Sequence, residues 1–233
     1  MPIIESVQVA SVAVPLDKVT SFSTRTVSER HYCLVKVRGK DGNEGIGFCY
    51  VGSAGGDIAK LAVEQLLAPK LIGQNSHRSE GLWMDMYNES ILQGRTGAVM
   101  RGISILDTAL WDLNARSAKL PLHHYLGSVV HDRVPAYASG GYYLEGKTPA
   151  KLGKEMESYV TQGFKAVKMK VGRLSPREEE ARVKAARKAV GDDVLLTLDA
   201  GQDVAGALQV LQGLAVHEQV DRGDLLDGLL FLA

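Results

Sequence analysis

The sequence predicts a chain of two parts, an α+β domain followed by an α/β domain. In residues 1–130, strand-like segments come first and helical segments follow. After Arg133 the order becomes strand, helix, strand, helix, strand, which is typical of a parallel sheet covered by helices. We therefore expect a first domain over residues 1–130 and a parallel α/β domain within residues 131–233.

Three segments predict the strands of the first part. Residues 3–14 are rich in Val and Ile and predict a strand that ends at Pro15. Residues 31–38 and 44–50 alternate apolar and polar positions on either side of a glycine-containing turn, which predicts a hairpin. The Ser- and Thr-rich residues 16–30 are expected to form a loop, either a mobile one over a site or a plain surface connection.

Three helical segments are expected to complete the first part. One begins at Asp57 and should end before Pro69, a second lies around residues 80–92, and the longest covers residues 97–118. Two of them carry an apolar stripe, formed by Ile58, Leu61, Ala62, Leu66 and Leu67 in the first helix and by Val99, Ile103, Leu106, Leu110 and Leu113 in the longest.

Two motifs of the first part resemble ligand sites only superficially. The glycine-rich residues 51–56 lack the Gly-Lys-Ser/Thr ending of a phosphate loop, so we interpret them as a connection into a helix. His123 and His124 are adjacent and would diverge on a helix, which disfavours a metal site. Neither motif is assigned a function.

Capping signals separate the strands of the second part. Thr148 is expected to begin a helix that ends at Gly163, and Ser175 with Glu178 is expected to form a capping box at the start of the next helix. The three strands are predicted over residues 134–143, 163–172 and 194–199.

The middle strand, residues 163–172, carries charges where a parallel sheet should be apolar. Side chains alternate between the two faces of a strand, so Lys168 and Lys170 share one face and the apolar residues share the other. Two ammonium groups inside a covered sheet indicate a site that handles anions or protons. The other interpretation places both lysines on the solvated side of an edge strand. Asp199 is predicted at the C-terminal end of the next strand, where barrel enzymes carry their catalytic residues.

The composition excludes several function classes. The 233 residues are 45% hydrophobic and 23% charged, and Lys plus Arg equals Asp plus Glu at 27 each. This balance creates no field that would favour nucleic acid or an acidic membrane surface. Without a long apolar run or a secretion signal, we expect a cytoplasmic protein with no membrane and no nucleic-acid partner. Cys33 and Cys49 are expected to be reduced thiols.

Five short motifs in residues 1–200 occur in an order that is more informative than any one of them. They are Ser104-Ile-Leu-Asp-Thr-Ala-Leu-Trp-Asp112, Leu120-Pro-Leu122, Tyr125-Leu-Gly127, Lys168-Met-Lys170 and Leu198-Asp-Ala200. In this order the chain resembles the mandelate racemase and muconate lactonizing branch of the enolase superfamily. Within that branch, residues 48–50 and 137–143 look most like acid-sugar dehydratases of the galactarate and talarate type.

The resemblance implies a capping domain over residues 1–130 and a TIM-like (β/α) barrel that begins near residue 131. It implies that Lys170 takes or gives the proton next to a substrate carboxylate and that Lys168 helps to hold Lys170 and that carboxylate. It also implies that Asp199 binds Mg²⁺. A neighbouring ammonium and a dication would lower the pKa of Lys170 towards the range of a general base, and the cation would stabilise an enediolate. The implied activity is a Mg²⁺-dependent acid-sugar dehydratase or 2-hydroxy-acid racemase, homo-oligomeric in the complete family form.

The tail from about residue 201 departs from the family pattern. Family members commonly have Asn two residues after the aspartate ligand, where this chain has Gly201, and they supply further acidic ligands and a histidine on later strands. We therefore expect a partial barrel, truncated after its third strand, that associates with other chains, binds Mg²⁺ weakly and is inactive in isolation. The alternative function is an inactive family remnant that acts, if at all, by association. The loss of the family pattern disfavours a role as substitute ligands for the acidic residues of the tail, Glu218, Asp221, Asp224 and Asp227. We expect His217 to be a surface residue of a helix rather than a catalytic base.

Overall fold

The chain folds into two compact units, and the second one takes in the tip of an N-terminal hairpin. The computed structural model describes residues 2–22, 25–127 and 133–200, together with the backbone of residues 229–232. The first unit comprises residues 1–16 and 29–132, and the second comprises residues 17–28 and 133–233. Each unit has its own cluster of buried apolar side chains.

A three-stranded sheet in the order β1-β2-β3 begins the chain. The strands are β1 at Ile4–Phe22, β2 at Arg25–Gly39 and β3 at Glu44–Gly52. The predicted hairpin is confirmed, since β2 and β3 pair antiparallel with Cys33 opposite Cys49. Both cysteines are free thiols, as expected, and burial raises the pKa of Cys33 to about 11.

The loop predicted between the first two strands is wrong. β1 continues through Pro15 to Phe22 and β2 starts at Arg25, so most of residues 16–30 are strand. Pro15 is tolerated because β1 lies at the edge of its sheet, where a missing N–H breaks no ladder. Polar and exposed residues of this part of both strands, such as Asp17, Lys18, Arg25 and Thr26, give no alternation of apolar and polar positions, so the sequence pattern does not reveal the strands.

Helices cover one face of this sheet. They are α1 at Gly56–Ala62, a π-helical turn at Val63–Leu67, α2 at Ala68–Leu71, α3 at Ser79–Glu89, α4 at Gly97–Ser117 and α5 at Leu122–Tyr125. The stripe predicted for the longest helix is confirmed, because Ile103, Leu106, Leu110 and Leu113 are fully buried in α4. In the described ranges, no helix is long and apolar enough to cross a membrane.

The stripe predicted for the first helix is wrong at its start and confirmed at its end, where Leu67 is fully buried. Ile58 and Leu61 are exposed, whereas Ala59, Val63 and Leu67 are buried. The buried positions are four residues apart, as on one face of a helix, and at the N-terminal end this face is offset by one residue from the predicted stripe. Pro69 does not end the helix either, since it lies in the first turn of α2, where its missing N–H has no helical partner.

Two glycines let β3 approach α4 closely. A Cβ built on Gly45 would collide with the carbonyl oxygen of Ala109, and one built on Gly47 would collide with the carbonyl oxygen of Ile105. Backbone atoms inside a helix cannot move aside without breaking helical hydrogen bonds. The close contact between strand and helix therefore requires glycine at both positions.

The second unit contains a four-stranded sheet in the order β4-β5-β6-β7. The strands are β4 at Ala138–Gly140, β5 at Ala166–Lys170, β6 at Leu195–Asp199 and β7 at Leu229–Leu232. The pairs β4–β5 and β5–β6 are parallel, which confirms the predicted parallel α/β region, and β7 pairs antiparallel with β6. The first of these strands is three residues long, much shorter than the predicted 134–143.

Helices α6 at Pro149–Thr161 and α7 at Pro176–Val190 connect the parallel strands. Both predicted caps are confirmed. The backbone N–H of Lys151 donates to Thr148 Oγ1 at 3.3 Å, and Ser175 forms a capping box with Glu178. Because β4, β5 and β6 pair in parallel, their C-terminal ends lie side by side at one edge of the sheet.

Replacing Gly47 with Ala is expected to lower the free energy of unfolding by about 1–3 kcal/mol, because the added methyl group overpacks against the α4 backbone. Urea unfolding followed by far-UV circular dichroism measures this change. The control is Gly81→Ala in α3, whose methyl would meet only the Arg78 side chain, at 3.5 Å. That variant should be neutral or more stable by about 0.5–1 kcal/mol. Equal stability of the two variants would argue against the close contact.

Candidate active site

The parallel register of β5 and β6 brings the predicted site residues together. Lys168 and Lys170 lie on the same face of β5, and Met169 between them is fully buried on the other face. Lys168 lies opposite Thr197, and Lys170 lies opposite Asp199 at the C-terminal end of β6. The alternation predicted from the sequence therefore holds in the folded strand.

A single carboxylate oxygen binds both ammonium groups. Asp199 Oδ2 lies 2.9 Å from Lys168 Nζ and 2.5 Å from Lys170 Nζ. The side chains are only 15%, 18% and 14% exposed for Lys168, Lys170 and Asp199, respectively. Because β5 lies between β4 and β6, the interpretation that placed the lysines on a solvated edge strand is wrong. The cluster is a partly desolvated, charged site at the ends of two parallel strands.

Opposing effects act on the pKa of Lys168. Burial lowers it, but the hydrogen bond and the charge of Asp199 raise it more, and Tyr137 adds to the rise. The pKa of Lys168 is therefore raised above its ordinary 10.5. An aromatic ring lies near each ammonium, with Lys168 Nζ 5.6 Å from the ring centroid of Tyr137 and Lys170 Nζ 6.0 Å from that of Tyr142. Lys168 is a stable cation in this arrangement.

The described residues do not by themselves form a magnesium site. Across residues 2–22, 25–127 and 133–200, no three His, Cys, Asp or Glu side chains lie together as metal ligands would. Mg²⁺ requires near-octahedral oxygen coordination, and Asp199 supplies one carboxylate that already faces two ammonium groups. The tail residues considered as substitute ligands or base, Glu218, Asp221, Asp224, Asp227 and His217, lie outside the described residues.

Sequence reasoning missed two charged residues behind the site. Glu179 and Arg182 of α7 are 0% and 5% exposed and form an ion pair with each other. The helical periodicity of the sequence contains a signal for them, because both residues lie on the same buried face of α7 as Val183, Ala186 and Val190. Charged residues three apart on a helix are usually a solvated pair, which is why the pattern alone did not single them out.

The hairpin tip in the second unit lines an open pocket of about 770 Å³. The tip is attached to the loop after β4, since the backbone N–H of Ser21 donates to the carbonyl of Tyr143 at 3.1 Å and the reverse hydrogen bond is 3.0 Å. Lys18, Lys147 and Arg173 add cationic side chains to the lining. Lys18, Val19 and Ser21 of β1 are thus part of the pocket wall, although they lie in a strand rather than in the expected loop.

The fold and the site define a class of protein. An antiparallel sheet with helices precedes the parallel part of a (β/α) barrel, and lysines on one barrel strand meet an aspartate on the next. This is the organisation of the enolase superfamily. The chain belongs to its mandelate racemase and muconate lactonizing enzyme family: residues 4–127 match the N-terminal domain of that family, and residues 151–221 match the enolase C-terminal domain-like family.

Named relatives agree with this assignment. The chain is 41% identical over 144 residues to arabinonate dehydratase from Saccharolobus solfataricus, covering 62% of this chain and 38% of that protein. It is 31% identical over 188 residues to L-talarate/galactarate dehydratase from Salmonella typhimurium, covering 79% of this chain and 46% of that protein. A racemase from Streptomyces coelicolor, crystallised with bound magnesium, superimposes with a TM-score of 0.83 at 32% identity over 91% of this chain and 60% of its own. The chain thus spans less than two thirds of each relative.

Replacing Asp199 with Asn is expected to lower the pKa of Lys168, because the carboxylate that favours the ammonium is removed while burial remains. Since the folded pKa lies above the ordinary 10.5, the stabilisation by this ion pair is complete below pH 10.5 and is lost as the pH rises through the folded pKa. Unfolding free energies of the two proteins, measured from neutral to alkaline pH, should therefore converge at high pH.

The matched control is Asp193→Asn, which changes an exposed carboxylate in the turn before β6. Its difference from the unmodified chain should be small and should not depend on alkaline pH. A difference for Asp199→Asn that stayed constant up to the highest pH would show that the aspartate acts independently of Lys168.

Proposed function

We propose that Lys168, Lys170 and Asp199 form the proton-transfer part of a site that acts on the carbon next to the carboxylate of a sugar acid or 2-hydroxy acid. The observation that carries this proposal is the shared contact of both ammonium groups with Asp199 Oδ2 in a partly buried cluster. The names of the relatives support the substrate class, since arabinonate, talarate and galactarate are all sugar acids.

The charge of the cluster favours an anionic ligand. Two ammonium groups face one carboxylate, so the three side chains together carry a net charge of +1. In a site that is only partly solvated, this charge attracts a carboxylate more strongly than it would in water. A substrate carboxylate would bind Lys168, which is a stable cation because its pKa is raised. We assign Lys168 to binding and orienting the substrate.

Lys170 is then the residue that moves the proton. In its neutral form its amine takes the proton from the carbon next to the bound carboxylate, and as an ammonium it returns a proton. Departure of a hydroxide from the neighbouring carbon would complete a dehydration, and return of a proton on the other face would complete a racemisation. Dehydration and racemisation share the removal of the α-proton as their first step. The cluster therefore supports this step and does not distinguish between the two reactions.

We propose Asp199 as one ligand to Mg²⁺, on the strength of the resemblance to the family. A bound cation would supply charge stabilisation to the carboxylate of the substrate. The described residues do not complete its coordination, whereas both lysines that the proton-transfer step requires lie among them.

A second candidate function is association with other chains without turnover. It is motivated by the family's later strands and ligands that the sequence does not recognisably supply, and by the absence of any group of three potential metal ligands within the part of the chain that the structure describes. Under this hypothesis the chain alone should not be stabilised by Mg²⁺ and should catalyse no proton exchange. Its apparent mass in solution should exceed that of one 25.1 kDa chain.

Lys170→Ala is expected to reduce exchange of the substrate α-proton by at least about 100-fold, since a positioned base contributes roughly that factor. The 233-residue chain, with millimolar Mg²⁺, is incubated in deuterated buffer with a panel of sugar acids and 2-hydroxy acids, and deuterium incorporation is read by NMR. Lys165→Ala, which removes an exposed lysine just before β5, is the control and should exchange at the unmodified rate. Exchange that persists in Lys170→Ala would identify another base, and no exchange by the unmodified chain would favour the second candidate.

Magnesium titration separates the two candidates independently of the substrate. A ligand that binds only the folded state raises the melting temperature by mass action. If Asp199 acts as a ligand, Mg²⁺ should raise the melting temperature of the unmodified chain and leave that of Asp199→Asn unchanged, with calcium as a comparison ion. If the chain acts by association alone, neither protein should respond to Mg²⁺, and an equal response of both would place the cation away from Asp199.

A further inference from the structure

A buried ion pair lies directly behind the end of the lysine strand. Arg182 Nη1 donates to Glu179 Oε2 at 2.7 Å, and the two side chains are 5% and 0% exposed. Both residues come from α7, the helix that follows β5. A pair with this degree of burial is no surface salt bridge, and its hydrogen-bond partners indicate what it holds.

Arg182 binds the ends of two neighbouring strands. Its Nη1 donates to the carbonyl of Lys170 at 3.0 Å, and its Nη2 donates to the carbonyl of Gly141 at 2.8 Å. Lys170 is the last residue of β5, and Gly141 directly follows β4. The planar guanidinium, with donors in a rigid fork, holds both carbonyls at once. The backbone of Lys170 is therefore held directly by this arginine.

Glu179 holds the loop that continues from Lys170. Its Oε1 accepts the backbone N–H groups of Gly172, Arg173 and Leu174 at 3.2, 3.0 and 3.0 Å. It also accepts the hydroxyl of Tyr143, and burial with this hydrogen bond raises the pKa of that tyrosine, so the hydroxyl keeps its proton. One carboxylate oxygen thus fixes three successive residues after the lysine strand.

The network is better suited to fixing positions than to adding stability. Burying two charges is costly, and apolar side chains of similar volume often stabilise a protein as well as a buried ion pair does. The described hydrogen bonds from this pair to backbone all lead to the ends of β4 and β5 or to the loop after β5. Those are the backbone segments from which Lys170 reaches Asp199.

We propose that Glu179 and Arg182 are positioning residues for Lys170. They hold the C-terminal end of β5 against β4 and the following loop, so that the Lys170 ammonium stays within 2.5 Å of Asp199 Oδ2. This assignment rests on the proposed function of Lys170 as the proton-transfer residue. Neither side chain touches the substrate in this role; they act through the backbone of Lys170.

The test compares Glu179→Gln and Arg182→Lys with the unmodified 233-residue chain at one fixed pH. Backbone hydrogen exchange of residues 170–174 and acylation of Lys170 by an amine reagent are both measured by mass spectrometry. Each should become at least about tenfold faster, because loss of one charge-assisted hydrogen bond shifts a local opening equilibrium by that much. Exchange in α6, which belongs to the same unit, should change by less than about twofold.

Arg182→Lys separates positioning from charge compensation. A lysine keeps the positive charge beside Glu179 but cannot hold two carbonyls in a fork. If the arginine serves only to neutralise Glu179, acylation of Lys170 in Arg182→Lys should be as slow as in the unmodified chain. If it positions the strand ends, acylation should stay fast even though the melting temperature is largely retained. Retained slow acylation would overturn the proposal.

Control variants distinguish a specific effect on Lys170 from a general loss of charge or stability. Glu180→Gln removes the same charge from the same helix, where Glu180 pairs with the 57% exposed Lys184, and should leave Lys170 unchanged. An equal rise of exchange in α6 and in residues 170–174 would indicate a merely structural role and overturn the proposal. Should Glu179→Gln fail to fold, Tyr143→Phe removes one hydroxyl from Glu179 and should speed acylation of Lys170 by a smaller factor; no change there would also overturn it.

These readouts need no turnover, so they are distinct from the test of the proposed function. If the unmodified chain exchanges no substrate proton, the proposed function fails while the hydrogen-exchange and acylation results still decide whether the pair holds Lys170. If the chain does exchange protons, the positioning variants should lower the rate of turnover more than they change substrate affinity, because the proton-transfer geometry is what they disturb.

Discussion

The pairing of β5 with β6 is the contact on which the site depends. Parallel register sets Lys170 opposite Asp199, and strand alternation sets Lys168 on the same face, so one carboxylate oxygen reaches both ammonium groups. A shift of this register by one residue would turn both lysines towards the buried face, where Met169 now packs. Burial of the apolar face of β5 therefore opposes a shift of register and keeps both lysines on the face that contacts Asp199.

Support for that register comes from behind the sheet. Helices α6 and α7 cover the buried face of β5, and the ion pair of Glu179 with Arg182 ties the ends of the strands together. Two interactions therefore set the geometry of the site. Apolar burial determines which face of β5 is inside, and a few charge-assisted hydrogen bonds determine the final position of the strand ends. In the first unit, the position of β3 against α4 is set by close packing without charges, since Gly45 and Gly47 of β3 lie against the α4 backbone.

The comparison with relatives sets the scale of what this chain contains. Its matched portions are the family's N-terminal domain and residues 151–221, which contain β5 and β6, and the chain covers 38% and 46% of two named dehydratases. The lysine and aspartate cluster lies within this shared portion. Within the part of the chain that the structure describes, no three His, Cys, Asp or Glu side chains lie together as metal ligands would, so the proposed roles of the lysines in proton transfer and of Asp199 as a metal ligand need separate tests. The expected cytoplasmic location, homo-oligomer and truncation remain predictions.

By itself, the sequence determined the elements whose signals are local. Alternation identified the faces of β5, periodicity identified the core stripe of α4, and capping residues located the starts of α6 and α7. Motif order identified the family. These features depend on neighbours within a few residues, which is why they can be predicted without coordinates.

Only the tertiary structure decided the rest, because its causes lie far apart in the chain. Residues 16–22 and 25–30, which the sequence predicts as loop, lie in β1 and β2, and the backbone of Ser21 pairs with that of Tyr143 in the loop after β4. Pro15 is tolerated because its strand lies at an edge of the sheet. Glu179 and Arg182 look like a solvated helical pair until α7 packs onto the sheet and the guanidinium meets carbonyls of two different strands. Burial changes the energetic meaning of a charge, and burial is a property of the whole fold.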